Sequence, residues 1–362
     1  MADSTTIVPE PTAGEVEPSG PPAGDERIAG TSLVRKLLTR PELGAVIGAA
    51  AVWLFFAWQS GTFASVRGTG NFLDPASTLG IMAVAVGLLM IGGEFDLSAG
   101  VLTASNGLIV TLLATELDWN IWLAMLVALG FSLTVGFLNG LVVLRTGLPS
   151  FIVTLGTLLM LQGANLGVTK QVTDTVQVRG LGGAPGYESA RKVFGTVYEV
   201  GGGAFRVSIL WWVGIAAIAT WVLLRTRPGN WIFAVGGDAT AARSVGVPAA
   251  RTKIALFMTT ATAAWLVGSM AAIRLRSVQA NAGVGEEFQY IIAAVIGGCL
   301  LRGGYGSAVG AAIGALIVGM TKQGIVFAGW DSDWFQLFLG VMLLLAALLN
   351  RFVRTRAEEA RR

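Results

Sequence analysis

The sequence predicts an all-α polytopic membrane protein with about ten transmembrane helices and both termini cytoplasmic. Three observations carry that fold class. The chain is 54% hydrophobic and 13% charged over 362 residues, where soluble domains average about 25% charged. Long uncharged runs recur along it, and a bilayer core needs about 20 apolar residues per helix. It holds 49 glycines, a residue that lets helix backbones approach closely in lipid.

Composition also excludes several classes. There is no histidine, which removes the commonest general base and metal ligand. A single cysteine, Cys299, forms no intrachain disulfide and reads as a buried thiol. No G-x-x-x-x-G-K-[ST] segment occurs, so nucleotide is not held here through a P-loop. GGYGSAVG (303–310) has the wrong spacing for a dinucleotide fingerprint and no βαβ context. A net charge of +3 is too small to argue for nucleic acid.

Taken in order, residues 1–42 form a cytoplasmic tail, whose first 30 residues hold five prolines, six acidic residues and one arginine. That composition predicts disorder. The start lacks the charged and apolar regions of a signal peptide. Spans follow near 43–59, 78–91, 98–115, 121–144, 150–168, 208–225, 254–273, 288–301, 305–321 and 334–350. The span at 78–91 is short, so a short or broken helix is expected near the second position, and the one at 288–301 is short as well. The transmembrane domain is 43–350, and 351–362 is a basic cytoplasmic tail. With the N-terminus inside, 16 of the 25 Lys and Arg fall on inner segments and 9 on outer ones, as the positive-inside rule requires. Two connections are long: 170–207 outside and 226–253 inside.

GGEFDLSAG (92–100) places Glu94 and Asp96 between two uncharged runs. Gly92 and Gly93 end one helix, and Asp96 or Ser98 is placed to cap the next. The other reading is that Glu94 or Asp96 lines a path or titrates, since intramembrane carboxylates are usually functional. The segments 85–100 and 294–310 echo one another: apolar run, Gly-Gly, turn, small residues, helix. In the inner loop, Asp238 or Thr240 is placed to start a two-turn helix over 239–245, with Gly246 at its end and Pro248 beyond. Such a helix is not stable alone and needs a packing partner. The ladders Gly306/Gly310/Gly314 and Gly136/Gly140 have G-x-x-x-G spacing and are read as internal packing surfaces.

GGEFDLSAG, LPSFIVTLGTLLMLQG (148–163), FAVGGDATAARSVGV (233–247), SVQANAGVGEEF (277–288) and AAVIGGCLLRGGYGSAVGAAIGALIVG (293–319) together resemble the permease subunits of bacterial ribose-, xylose- and fructose-type ABC importers. The resemblance runs in order from about residue 70 to 350. It implies a multi-pass protein of the bacterial inner membrane, paired with a second permease copy. A cytoplasmic ABC ATPase would hold ATP and Mg, so this chain binds no cofactor and is a transport subunit rather than an enzyme. An extracytoplasmic sugar-binding protein would deliver a monosaccharide. The GGDATAARSVGV segment corresponds to the ATPase-coupling helix, which carries over to Asp238, Ala241, Ala242, Arg243, Gly246 and Val247. Glu287-Phe288-Gln289 and the residues Cys299, Arg302 and Tyr305 depart from the family's commoner pattern.

Polar side chains on or near apolar spans are candidates for the translocation path: Glu94, Asp96, Thr103, Ser105, Asn106, Thr154, Thr157, Gln162, Asn165, Gln279, Asn281 and Gln289. Arg274, Arg276, Gln279 and the 170–207 loop are expected to face the binding protein. Two rival readings stand beside this one. An ion-coupled secondary transporter would use Glu94 or Asp96 as its titrating group, and a permease of the same family would carry a nucleoside, a signal sugar or an amino acid. An intramembrane enzyme lacks a histidine, a metal cluster and a nucleophile with a nearby base.

Overall fold

The computed structural model describes residues 41–359. The first 40 residues of the expected N-terminal tail, and residues 360–362, lie outside it. In chain order the helices are α1 (Pro41–Gln59), α2 (Val66–Ile91), α3 (Ala99–Glu116), α4 (Ile121–Thr146) and α5 (Ser150–Thr173). Strand β1 (Gln177–Arg179), helix α6 (Tyr187–Phe194) and strands β2 (Val197–Val200) and β3 (Gly203–Arg206) come next. The remaining elements are α7 (Ser208–Arg225), α8 (Arg227–Gly237), α9 (Ala239–Ser244), α10 (Ala249–Leu275), β4 (Ser277–Gln279), α11 (Glu286–Ile296), α12 (Ala308–Phe327) and α13 (Trp334–Glu359).

Among the described residues, 8 helices are long and apolar enough to cross a membrane: α1 to α5, α7, α10 and α12. The two other expected spans are shorter here. Helix α11 has 11 residues, and the apolar part of α13 is Trp334–Leu348. Burial separates the eight into two groups. In α2, α3, α10 and α12 between 61% and 78% of the apolar window is buried, but only 11% in α1, 22% in α5 and α7 and 33% in α4. The core therefore gathers on α2, which packs along α12, with α10 laid against α3 and α4.

The short second span is corrected by the structure. Helix α2 runs unbroken for 26 residues with Pro75 inside it. Asp74 and Pro75 look like a helix boundary in sequence. In the fold Asp74 takes Arg206 at 3.0 Å and Arg274 at 2.8 Å, so its charge is matched. The all-α expectation is also amended, because the mostly helical chain carries two small antiparallel ribbons. β1 pairs with β4 in the register Gln177↔Gln279. β2 and β3 form a hairpin closed by Gly201 and Gly202 at φ +58° and +79°, the positive values a two-residue turn requires. The 170–207 connection is thus built structure. Helix α6 ties it down through Tyr187, whose hydroxyl donates to the Ile273 carbonyl at 2.9 Å.

The glycine ladders are internal. A β-carbon on Gly136 would stand 2.8 Å from the Phe257 carbonyl oxygen, so α4 meets α10 backbone to backbone. On α12, Gly310 faces Gly297 and Gly314 faces Ala293, too close for any side chain between them. In these ladders glycine serves helix contact within one chain.

Candidate functional site

Two Gly-Gly turns organise one end of the bundle. At the end of α2, the N–H groups of Gly92, Gly93 and Glu94 donate to the carbonyls of Leu88, Met90 and Leu89 at 3.0, 2.9 and 3.1 Å. At the end of α11, Gly297, Gly298 and Cys299 donate to Ala293, Val295 and Ala294 at 2.9, 2.9 and 3.0 Å. Gly93 and Gly298 have φ of +84° and +91°. Both are Schellman endings, which satisfy helix C-terminal carbonyls and need a left-handed residue at their centre.

The carboxylates of the first turn are both buried and both engaged. Glu94 is ion-paired with Lys253 at the start of α10. Asp96 is 1% exposed, and its Oδ1 accepts from the Ser98 N–H at 2.8 Å and the Ser98 hydroxyl at 2.5 Å. That is a local turn ahead of α3, with Ser98 itself making no side-chain cap. The backbone around it is stitched to α5: Phe95 N–H donates to Ser150 Oγ and Leu97 N–H to Thr154 Oγ1, each at 3.0 Å. Asn139 on α4 completes the network, donating to Ser98 Oγ at 3.1 Å and accepting from Thr157 at 2.7 Å. Of the sequence-derived candidates, Glu94, Asp96, Thr154 and Thr157 therefore meet in one place. Ser98, read in the sequence only as a possible cap, belongs with them, as do Asn139 and Ser150, which the sequence did not single out.

The other path candidates are dispersed. Thr103 and Ser105 donate back to the carbonyls of Gly100 and Val101 within α3. Asn106 reaches Ser132 Oγ at 3.0 Å and so joins α3 to α4. Gln162 is half-buried on α5 and Asn165 is buried there. Gln279 and Asn281 are exposed, Gln279 as the last residue of β4. Gln289 lines a small cavity of about 70 Å³ together with Thr78, Glu286, Tyr290 and Lys322. Arg276 is exposed, lies over the Tyr187 ring and donates to its hydroxyl at 3.1 Å. Arg274 is spent on Asp74. Asp74 and Arg206 were missed because only the fold brings them together.

The inner-loop segment folds from its own local rules. Asp238 is extended, and its Oδ1 accepts from the N–H groups of Thr240 at 2.8 Å and Ala241 at 3.0 Å, capping α9. These bonds hold the Asp238 carboxyl below its ordinary range. Gly246 ends the helix at φ +84°. Of the six carried-over residues, Asp238, Ala241, Arg243 and Gly246 are exposed, Val247 is half-buried, and Ala242 is buried. Ala242 packs with Val235 and Ala249, which seats the two-turn helix on the ends of α8 and α10. Val245 beside them is 79% exposed.

A bundle of eight long apolar helices among the described residues is the architecture of a multi-pass membrane protein. The chain belongs to the family described as branched-chain amino acid transport system / permease component, whose model matches residues 68–347. It is 31% identical over 295 residues to the ribose import permease protein of Escherichia coli (strain K12), covering 80% of this chain and 88% of that one. It is 29% identical over 294 residues to the fructose import permease protein of Rhizobium meliloti, covering 81% and 80%. The xylose transport system permease protein of Escherichia coli (strain K12) aligns over 356 residues at 29% identity, covering 85% and 91%. No solved structure matches the chain.

Proposed function

We propose that the chain is the membrane subunit of an ATP-binding-cassette importer in a bacterial inner membrane. With a second copy it forms the path for a monosaccharide or related polyol delivered by an extracytoplasmic binding protein. Ten crossings leave both termini inside, with α11 and the apolar part of α13 as the two short ones. ATP and Mg belong to a partner ATPase. The observation that carries the reading is α9, a helix too short to stand alone, seated by Ala242 and exposing Asp238, Ala241, Arg243 and Gly246 at its outer side. That is what a docking element for another subunit needs. The sugar class is favoured over amino acids by the ribose, fructose and xylose permeases among its relatives.

The chemistry is passive on this side. A neutral polyol crossing lipid leaves each hydroxyl without its water partner, at about 1–3 kcal/mol per group. A path with hydrogen-bonding groups, opened alternately to the two sides, removes that barrier. Of the two titrating groups the ion-coupled alternative would use, Glu94 is occupied by Lys253. The test is reconstitution in liposomes. With ATPase and binding protein, labelled monosaccharide should accumulate only with ATP, and Arg243→Glu should abolish accumulation by releasing the ATPase. Accumulation by this chain alone, driven by an ion gradient, would overturn the reading.

A further inference from the structure

At Gly236 the segment that carries α9 meets both Gly-Gly turns backbone to backbone. Gly236, at the end of α8, sits where a β-carbon would collide with the Ile91 carbonyl oxygen and stand 2.7 Å from the Gly304 nitrogen. Those two groups are themselves bonded, Gly304 N–H donating to Ile91 O at 2.8 Å. The end of α2 and the loop after α11 are therefore joined, and Gly236 is wedged against the joint. Gly303 closes the other side: its β-carbon would stand 2.7 Å from both the Gly236 oxygen and the Gly93 Cα. At Gly236 the three segments meet backbone to backbone.

The segment bearing Gly236 is also tied together internally. Val235, Ala242 and Ala249 share one apolar cluster, and Lys253 holds Glu94 of the first turn. Backbone packed on backbone has no rotamer to absorb a shift, and packed interiors are poorly compressible. A β-carbon on Gly237, the next residue, would meet open space, so of these two neighbours only Gly236 has no room for a side chain.

We propose that Gly236 is the positioning residue through which a displacement of α9 is delivered to both helical hairpins, α2–α3 and α11–α12, at the same time. This rests on the proposed function, because a partner must move α9. In the reconstituted complex, Gly236→Ala should leave ATPase assembly and ATP hydrolysis in place while transport per ATP falls about tenfold or more, as small misplacements far from the chemistry can do. Gly237→Ala should keep the normal ratio. An assembled Gly236→Ala complex with an unchanged ratio, or an equal loss in Gly237→Ala, overturns the inference. Hydrogen exchange on the wild-type complex decides the matter even if the variant does not fold. Adding a non-hydrolysable ATP analogue should change exchange in 234–247, 88–98 and 300–306 together. A change confined to 234–247 overturns the relay and leaves the proposed function standing, whereas no change in 234–247 overturns both.

Discussion

The turns at 92–98 and 297–307 share a backbone and differ in everything attached to it. Each ends its helix with the same three hydrogen bonds and one glycine at positive φ. The first then carries Glu94 and Asp96, matched by Lys253, Ser98 and the α5 hydroxyls that brace the backbone. The second carries buried Cys299, whose thiol reaches only the Ser307 carbonyl at 3.9 Å, and closes with glycines. The same turn is thus used once to anchor polar neighbours and once to admit close helix contact. Glycine sets the path of the chain, and the next few side chains choose what it binds.

The strongest way to break this comparison lies in the second turn. Gly310→Leu should drive a side chain into the Gly297 carbonyl, and overpacking costs about 1–3 kcal/mol or more. Size-exclusion chromatography in detergent should show little or no folded protein. The next effect is at the first turn. Asp96→Ala leaves the buried Ser98 N–H and hydroxyl without their acceptor, about 1–3 kcal/mol for such groups. Cys299→Ala should cost roughly 1 kcal/mol, the scale of a small apolar group. Thermal unfolding should therefore fall further for Asp96→Ala, and equal falls would erase the distinction between the two turns.

A separate test is the Glu94–Lys253 pair, whose side chains are 8% and 18% exposed. Removing one partner strands a mostly buried charge, while removing both does not. Lys253→Met should lower the melting temperature more than the Lys253→Met/Glu94→Gln double variant does. The smallest effect is at Asp238, which is exposed. Its carboxyl is held low by the Ala241 and Thr240 N–H groups, so the cap's contribution is full above the ordinary carboxylate range and fades as pH falls through the depressed value. Asp238→Ala should loosen exchange protection in 239–244 at neutral pH, and the difference from wild type should shrink on acidification.

Much of the site was legible because its rules are local. Gly-Gly after an apolar run announces a Schellman ending. Asp238 followed by a short run, Gly246 and Pro248 announces a capped helix, and the structure has it at Ala239–Ser244. The echo between the two turns was visible as composition and became hydrogen bonds in the same register. Helix α2 differs, because the apolar run at 78–91 marks only its second half: the polar stretch before it is part of the helix, with Asp74 matched by Arg206 and by Arg274, the latter 200 residues away. Gln279, Asn281 and Gln289 are polar, neutral candidates as Thr154 and Thr157 are, yet only the latter two join the first turn.

The sequence by itself determined the long apolar helices, the two glycine turns and the capped helix α9, because apolar length, φ preference and capping are decided within a few neighbouring residues. Only the tertiary structure decided that α2 runs through Pro75, that Ala242 faces inward, and that Gly236 touches both turns. Those outcomes depend on which distant groups satisfy one another's charge, hydrogen bonds and volume, and no short stretch of chain contains both halves of such a pair.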